Sequence, residues 1–563
     1  MSEKRDYMNR KYVQCSENIW ERFANWMHCI CVVTFDLELG QALEHVYPKH
    51  VTLTKQEISN ICYLAFPDSN SGCMGDTNFV IRLPTSPGKL ELCREHQKYN
   101  SNCPVALQIN TGYYWGFVYF RQVKDISLPR GYFQKSVVIL SKLPFNKLFG
   151  IVSCIISPEY FENGEPSLEA ACYNIDRWPP PAPGEILNLP LMGSVFQVEI
   201  PYLNMSKFNV GNKMSTSLVK QVHISFTDDL DLFVILQPVL SHIHLLWELV
   251  LTSEPLVVMA SSPTNCSAMV LALTKIISPL KFCADFRPYF TIHDSEFKQF
   301  TSKVRNAPQV ILGVTNPFFA KTLHHWPHTI RLGEESGQSQ KFKLKKNGNI
   351  KMLDIRPGVY TTYKTFLQKD KMVIKNLLLG ISARRPPEVQ SALLRRHLLE
   401  LTQSFMIPLE RYIASLMPLL RNISPFKAAP LPLPFNPENF FATLDTTGPQ
   451  LTSGIKGDWV GLYKKFFHSP NFNGWFDMRY KELALKLQAL QLEALSDADL
   501  KQWVQGKPEV EVVDMVLKIK GKISKCHEQN IRISDVTREQ LGERLQDILN
   551  SLPEDVKNIL QVT

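Results

Sequence analysis

Trp247-Glu-Leu-Val-Leu-Thr-Ser-Glu-Pro-Leu-Val-Val-Met-Ala260, with Ile277-Ser-Pro-Leu-Lys-Phe-Cys-Ala-Asp-Phe-Arg-Pro-Tyr-Phe-Thr-Ile-His293 behind it, is the stretch on which the fold turns. Apolar residues from Val239 to Leu251 recur at helical spacing behind Pro238. Leu256–Ala260 is a short apolar run that reads as a buried strand. Thr264 stands where a cap belongs, ahead of a helix through Ile277 that Ser278-Pro279 ends. Tyr289–Ile292 and Val310–Val314 read as further strands. Helix and strand therefore alternate, which predicts a mostly parallel sheet flanked by helices. Glu254 or Asp285 is available to pair with Arg287, and a buried pair of this kind is more often architectural than catalytic.

Upstream the pattern changes. Cys29-Ile-Cys-Val-Val-Thr-Phe-Asp36 reads as a fully buried strand, Gly40 as the turn, and Gln41–Tyr47 as the returning antiparallel strand that Pro48 stops. Thr54-Lys-Gln-Glu57 is a capping box, and Ile58, Ile61, Cys62 and Ala65 follow at helical spacing. Asn78–Leu83, Tyr113–Gln122 and Ser136–Leu140 are strand candidates, and helices begin near Pro144. Residues 29–162 are thus expected to form a five-stranded antiparallel sheet with helices, behind an N-terminal extension, 1–28, whose charged start does not read as a secretory signal. A Pro-rich linker is expected over 163–194, where Trp178-Pro-Pro-Pro-Ala-Pro-Gly184 favours extended backbone. A central α/β module spans 195–350 and ends in a polar loop, Gly333–Gly348, carrying Lys341, Lys343, Lys345 and Lys346. A helical part follows over 351–427, with Pro387 in a first turn. Then come a second Pro-rich hinge, 428–440, and a helical region, 441–563, in which Thr537-Arg-Glu-Gln540 reads as another capping box.

With 563 residues, 44% hydrophobic and 20% charged, the chain is neither disordered nor collagen-like. A net charge of +9 over this length is mild, and no aromatic stacking pattern points to nucleic acid. Twelve cysteines without a C-x-x-C pair fit reduced thiols in a cytoplasmic setting. Cys29 and Cys31 share one face of a strand, a poor metal spacing. The longest uncharged runs, Tyr99–Phe120 and Pro255–Thr274, are broken by Asn, Gly or Pro and do not read as membrane spans. Phosphate-loop, dinucleotide, serine-hydrolase and zinc-protease motifs are absent. His242/His244 and His324/His325/His328 lack carboxylate or thiol partners at ligand spacing, so they read as surface or satisfied imidazoles. Asp228-Asp229 reads as helix-cap chemistry. Leu517–Lys525, with alternate lysines, is either a solvated face or a lean toward anionic membrane; the solvated face is the better reading. No cofactor and no metal are expected.

At this point the middle of the chain resembles a known family. Leu251-x-x-Glu-Pro-Leu-Val-Val, then Ile276-x-x-Pro-Leu, then Arg287-Pro-Tyr-Phe, then Ala307-Pro-Gln-Val-Ile-Leu-Gly313-Val-Thr-Asn-Pro317 look like the central segment of DENN-domain proteins. Val32-Val-Thr-Phe-Asp-Leu-Glu-Leu-Gly40 and Tyr47-Pro48 resemble the upstream, longin-like segment of that family. Tyr113-Tyr-Trp-Gly-Phe-Val-Tyr-Phe-Arg121 and Arg177-Trp-Pro-Pro-Pro look closest to its sixth subfamily. The likeness runs from about Cys29 to Leu420.

The resemblance implies a guanine-nucleotide exchange factor for a Rab-family small GTPase, with no covalent chemistry and no cofactor. It also implies a cytoplasmic protein that associates peripherally with recycling endosomes. The GTPase is expected across the longin-like and central modules. Candidate contacts are Asp36, Leu37 and Glu38 at the end of the first strand, and Asp285, Arg287, Tyr289 and His293 in the central module. The alternatives are a GTPase-activating role, with Arg121 or Arg130 reaching a γ-phosphate, and a Rab-binding scaffold with neither activity.

Overall fold

In the computed structural model the described residues are 20–38, 40–68, 73–89, 91–128, 131–203, 221–225, 230–302, 307–333, 343–346, 356–444, 454–528, 531, 533–554, 556–557 and 560. The chain divides into two units, one built on residues 1–402 with Ile455–Asp458 and Ser469–Asn471, the other on the remainder.

The first unit opens with a five-stranded antiparallel sheet of order β2-β1-β5-β4-β3. Its strands are β1 (Cys29–Asp36), β2 (Gly40–Tyr47), β3 (Gly75–Pro84), β4 (Tyr113–Lys124) and β5 (Tyr132–Ser141). β1 is an unbroken apolar run because both its faces are covered. Ile30 and Val32 enter one core with Trp26, Phe117, Val137 and Ile139. Cys29, Cys31 and Val33 enter another with Ile61, Leu64, Phe79 and Val118. Helix α1 (Lys55–Leu64) covers the second core and starts on the expected capping box. Glu57 N–H donates to the Thr54 hydroxyl at 3.2 Å, and Thr54 N–H donates to the Glu57 carboxylate at 2.8 Å. Helices α2 (Asn146–Asn163) and α3 (Glu165–Asp176) cover the first core. The described cysteines are all free; the Cys29 and Cys31 sulfurs lie 3.7 Å apart.

The Pro-rich stretch after α3 is packed down. Trp178 is buried edge-on to Trp26, with ring centroids 5.4 Å apart. Trp26 Nε1–H donates to the Pro179 carbonyl, and Trp178 Nε1–H to that of Pro190, each at 2.8 Å. Prolines lack a donor but keep a good acceptor, and these two indoles use it. A small sheet, β6 (Ile186–Leu191), β7 (Ser194–Glu199) and β8 (Gln221–Ser225), follows, and Leu189, Phe196 and Val198 extend the first core.

The central sheet has the order β10-β11-β9-β12-β14-β13. It comprises β9 (Leu256–Met259), β10 (Asp285–Arg287), β11 (Val310–Val314), β12 (His328–Arg331), β13 (Lys343–Lys346) and β14 (Gly358–Thr361). The first four pair in parallel, as the alternation predicts, and β14 runs antiparallel to β12. Four local expectations are corrected. The helix expected over Val239–Leu251 becomes α-helical only at Ile243 (α4, Ile243–Leu251): a 3₁₀ stretch, Gln237–His242, precedes it, and Pro238, which cannot donate, separates it from a short helix Leu232–Leu236. Leu232–Leu251 is apolar and long enough to cross a membrane by composition, but most of it is buried in this module. Helix α5 (Pro263–Lys275) is capped by Ser262, whose hydroxyl accepts from Asn265 N–H at 3.3 Å, with Pro263 at the first position. Tyr289–Ile292 is not a strand, since Pro288 ends the ladder at Arg287 and Phe290 N–H turns to the Gly313 carbonyl at 2.8 Å. In the second unit, Ser534 and not Thr537 caps the helix Asp535–Leu549; its hydroxyl accepts from Thr537 N–H at 3.0 Å. Asp228-Asp229, Arg130 and most of the polar loop Gly333–Gly348 lie outside the described residues.

The second unit is helical. One core gathers Phe405, Phe435, Phe440, Tyr463, Phe467 and Phe472 in ring contacts, among which Phe405 stacks on Tyr463 at 4.2 Å. The expected hinge at 428–440 runs through this cluster: Phe435 is one of its rings, and Tyr412 Oη–H donates to the Asn436 carbonyl at 3.0 Å. A second core joins Leu492, Leu495, Val516, Ile519, Leu541 and Leu549 near the C-terminus.

In the central sheet, Gly313 of β11 is packed directly against backbone. A Cβ there would lie 2.2 Å from the Pro288 carbonyl oxygen and 2.8 Å from the Cys266 sulfur. Gly313→Ala is expected to destabilise the protein by roughly 1–3 kcal/mol, read as a lowered thermal midpoint. A midpoint equal to that of the parent would show that the backbone can give way there.

Candidate functional site

An antiparallel sheet leaves its edge strand with unpaired groups, and β3 is such an edge. Two elements of the central module meet it. Along α5, the Thr264 hydroxyl donates to the Asn78 carbonyl at 2.7 Å, and Val80 N–H donates to the Ser267 hydroxyl at 3.4 Å. This explains why Thr264 is not spent on capping. At β10, the Arg82 guanidinium donates to Asp285 Oδ1 at 2.8 Å and to the Phe286 carbonyl at 3.3 Å. Asp285 Oδ2 accepts from Arg287 Nε at 2.9 Å, and Arg287 reaches Glu296 at 2.5 Å. Arg82 lies over the rings of Tyr113 and Phe286, 3.6 and 4.1 Å from their centroids. Asp285 is thus shared by two guanidiniums from two modules.

Burial drives the charges here. It lowers the Arg82 pKa to about 10, with Asp285 only partly offsetting it. Burial opposes the charged form of Arg287 too, but Asp285 and Glu296 together outweigh it and the pKa rises. Both remain cationic at neutral pH. Burial raises Glu296 and Asp294.

Beside this junction, the loops leaving the carboxyl ends of β10 and β11 meet the end of α1. Asp68 N–H donates to Tyr289 Oη at 2.8 Å, and Asp68 Oδ2 accepts from the Thr315 hydroxyl at 3.1 Å. Tyr63 stacks on His293 at 5.1 Å. Phe35, near the end of β1, contacts Phe66 edge-on at 6.4 Å. In open α/β sheets this end of parallel strands is where partners and ligands gather. Here it also carries residues of the neighbouring module, so two modules supply one surface.

The proposed contacts separate into two groups. Arg287 and Tyr289 are buried, at 3% and 1% exposure, and belong with half-buried Asp285 to the junction. Leu37, at 64%, is open to solvent, as are Glu38 and His293; Asp36 is half-buried and accepts from Glu38 N–H at 2.8 Å. Sequence reasoning did not single out Arg82, Tyr63, Asp68, Thr315 or the exposed Phe318. The one signal available was Thr315-Asn-Pro317 immediately after a strand, a turn sequence at a strand's carboxyl end.

The remaining chemistry is structural. Arg121 is clamped by Asp76, Nε–Oδ1 2.6 Å and Nη2–Oδ2 2.8 Å, and lies over Phe161. His244 and His397 face each other at 3.0 Å, and His328 contacts Thr361 and Glu254. No group of three metal-ligating side chains occurs among the described residues. In the 517–525 stretch, Lys518 pairs with Asp514, Lys522 donates to Gln491, and Lys520 donates to the Leu560 carbonyl.

Two family models match the chain: Stabilization of polarity axis, over residues 229–340, and DENND6 C-terminal domain, over residues 500–563. Protein DENND6A of Gallus gallus is 52% identical over 557 residues, covering 97% of this chain and 94% of its own length. Protein DENND6B of Homo sapiens is 52% identical over 548 residues, covering 96% and 94%. Protein DENND6 homolog of Dictyostelium discoideum is 32% identical over 572 residues, covering 88% and 77%.

Two outcomes test the division between junction and surface. Arg287→Ala is expected to destabilise by on the order of 2 kcal/mol, less than for a fully buried pair because both carboxylates keep some solvent; His293→Ala should change stability by under about 0.5 kcal/mol. Equal thermal midpoints for the two would contradict the assignment. Burial raises the Asp68 pKa above its unfolded value, with Thr315 and Asn316 opposing. A carboxyl with a raised folded pKa loses stability as pH climbs from its unfolded to its folded pKa. Asp68→Asn should therefore be more stable than the parent at neutral pH, with the advantage shrinking as pH falls through the acid range. Denaturant midpoints across pH read this directly; an advantage that grows in acid would show the wrong sign.

Proposed function

We propose, from the premise that this chain belongs to the DENND6 family of DENN-domain proteins, that it is a guanine-nucleotide exchange factor for a Rab GTPase. DENN-domain proteins are generally Rab exchange factors. The observation that carries the reading to this chain is the single surface that two modules make at the carboxyl ends of β10 and β11. Exposed His293 and Phe318 lie on the loops there, over a buried junction held by Arg82, Asp285 and Arg287, and exposed Leu37 and Glu38 follow the end of β1, whose Phe35 contacts Phe66.

An exchange factor makes and breaks no covalent bond. A small GTPase holds its nucleotide by about −12 to −16 kcal/mol if its affinity is nanomolar to picomolar. Release accelerates only if the factor binds the open or empty GTPase more tightly than the filled one. A rigid surface spanning two modules suits this: it favours one arrangement of the GTPase's switch segments and does not follow them back to the closed one. Aromatic and imidazole side chains with little conformational freedom, such as Phe318 and His293, are fit anchors for such an interface. Arg287, Asp285 and Tyr289 act by holding that surface. The activating alternative has less support, since the Arg121 guanidinium is committed to Asp76. We place the protein in the cytoplasm, peripherally on recycling endosomes, in vesicle trafficking.

The test is release of a fluorescent GDP analogue from a panel of Rabs. At least one Rab should release faster with this chain, without faster phosphate production. His293→Ala and Phe318→Ala should each reduce the rate on the order of tenfold or more. Acceleration of phosphate production instead, or tight binding with no rate change for any Rab, would overturn the proposal.

A further inference from the structure

We infer that the helical hairpin of α6 (Lys371–Ser382) and the first half of α7 (Pro387–Ser415) is a docking surface for an anionic membrane. On α6, Leu377 and Gly380 face inward and are buried. At Gly380 an added Cβ would lie 1.9 Å from Gln390 Nε2, and Gln390 donates to the Leu377 carbonyl at 2.9 Å, so the two helices are seated on each other there. At helical spacing the opposite face carries Met372, Lys375 and Leu379. Met372 is 67% exposed and Leu379 51%, unusual for large apolar side chains on a helix that has an inner face to bury them. Leu378, Val389 and Leu393 are likewise exposed.

The charge around these residues is mainly positive, although the Asp370 carboxylate caps α6 beside Met372. Between Lys371 and Leu399 the sequence holds six cations, Lys371, Lys375, Arg384, Arg385, Arg395 and Arg396, against one carboxylate, Glu388. Arg395 is committed to the Leu230 carbonyl. The other five are exposed, and none is ion-paired with a described residue. The turn between the helices adds a further sign. Arg384 sits at φ 50°, where glycine is the comfortable residue, and caps α6 by donating its N–H to the Ile381 carbonyl at 3.1 Å. A helix end favours cations, but that alone does not account for exposed Met372 and Leu379 beside them. Apolar side chains interleaved with unpaired cations match the boundary between acyl chains and anionic headgroups. A protein partner would be expected to meet such a face with carboxylates; a membrane meets it with lipid phosphate and serine. The basic stretch at 517–525 is the weaker site, because Lys518, Lys520 and Lys522 are spent on Asp514, Leu560 and Gln491.

The test is flotation of the full chain with vesicles of phosphatidylcholine alone or mixed with phosphatidylserine. Binding is expected only with phosphatidylserine, weakening as salt rises. The charge variant is Lys375→Glu, Arg384→Gly, Arg385→Glu; Gly at 384 suits the positive φ and guards the fold. At roughly fivefold per basic residue, its affinity should fall by about a hundredfold. Met372→Ser with Leu379→Ser, both at exposed positions, should weaken binding by roughly tenfold or more. All variants should release GDP from a Rab in solution at the parent rate. The inference is overturned if the parent does not float, if the charge variant floats as well as the parent, or if the variants lose exchange in solution, which would make this face a GTPase contact. A parent that floats but exchanges on no Rab would refute the proposed function and leave this surface standing.

Discussion

One carboxylate, Asp285, held between Arg82 of the first sheet and Arg287 of its own strand, is the constraint on which the first unit depends. Three side chains with guanidinium–carboxylate geometry fix distance and angle better than apolar contact can. Stripped of partners, each would be a liability in a buried place, so the arrangement is stable only when the two modules are in register. Tyr113 and Phe286 cover Arg82 and keep water from it. The hydroxyls of Thr264 and Ser267 add neutral bonds along the same edge of β3, so the sheet's free edge is closed by another module of its own chain.

This junction turns two small modules into one body at the place where the carboxyl ends of the parallel strands open to solvent. Asp68, reaching both Tyr289 and Thr315, carries the order outward to the loops that hold His293 and Phe318. On the proposed exchange reading the surface must not yield: if it relaxed to suit either state of a GTPase, it would bind both equally and release nothing. Rigidity at the junction and exposure at the rim are therefore complementary parts of one device.

Much of this was legible in the sequence, for physical reasons. Cys29–Asp36 shows an unbroken apolar run because both faces of the strand are buried, and the Thr54–Glu57 box reports its own helix start. The parallel sheet followed from helix and strand alternating around Leu256 and Val310. What was not legible lies in long-range pairing. Thr264 looks like a cap locally, but its hydroxyl is taken by a strand 186 residues earlier. Arg82 and Asp285 are 203 residues apart, and nothing in either neighbourhood announces the other. Tyr289 and Arg287 read as candidate contacts but are buried in the junction, and sequence does not distinguish a contact from the buried group that supports it. Trp178 and its prolines read as a linker because proline cannot donate; that two indoles would use their carbonyls is a tertiary fact.

The most direct measurement is the affinity of this chain for one Rab in three states: emptied of nucleotide, loaded with GDP, and loaded with a non-hydrolysable GTP analogue. The account predicts that the empty form binds at least a hundredfold more tightly than the GDP form, a ratio worth about 2.7 kcal/mol. Equal affinity for the empty and GDP-loaded forms, across every Rab that binds at all, would contradict it.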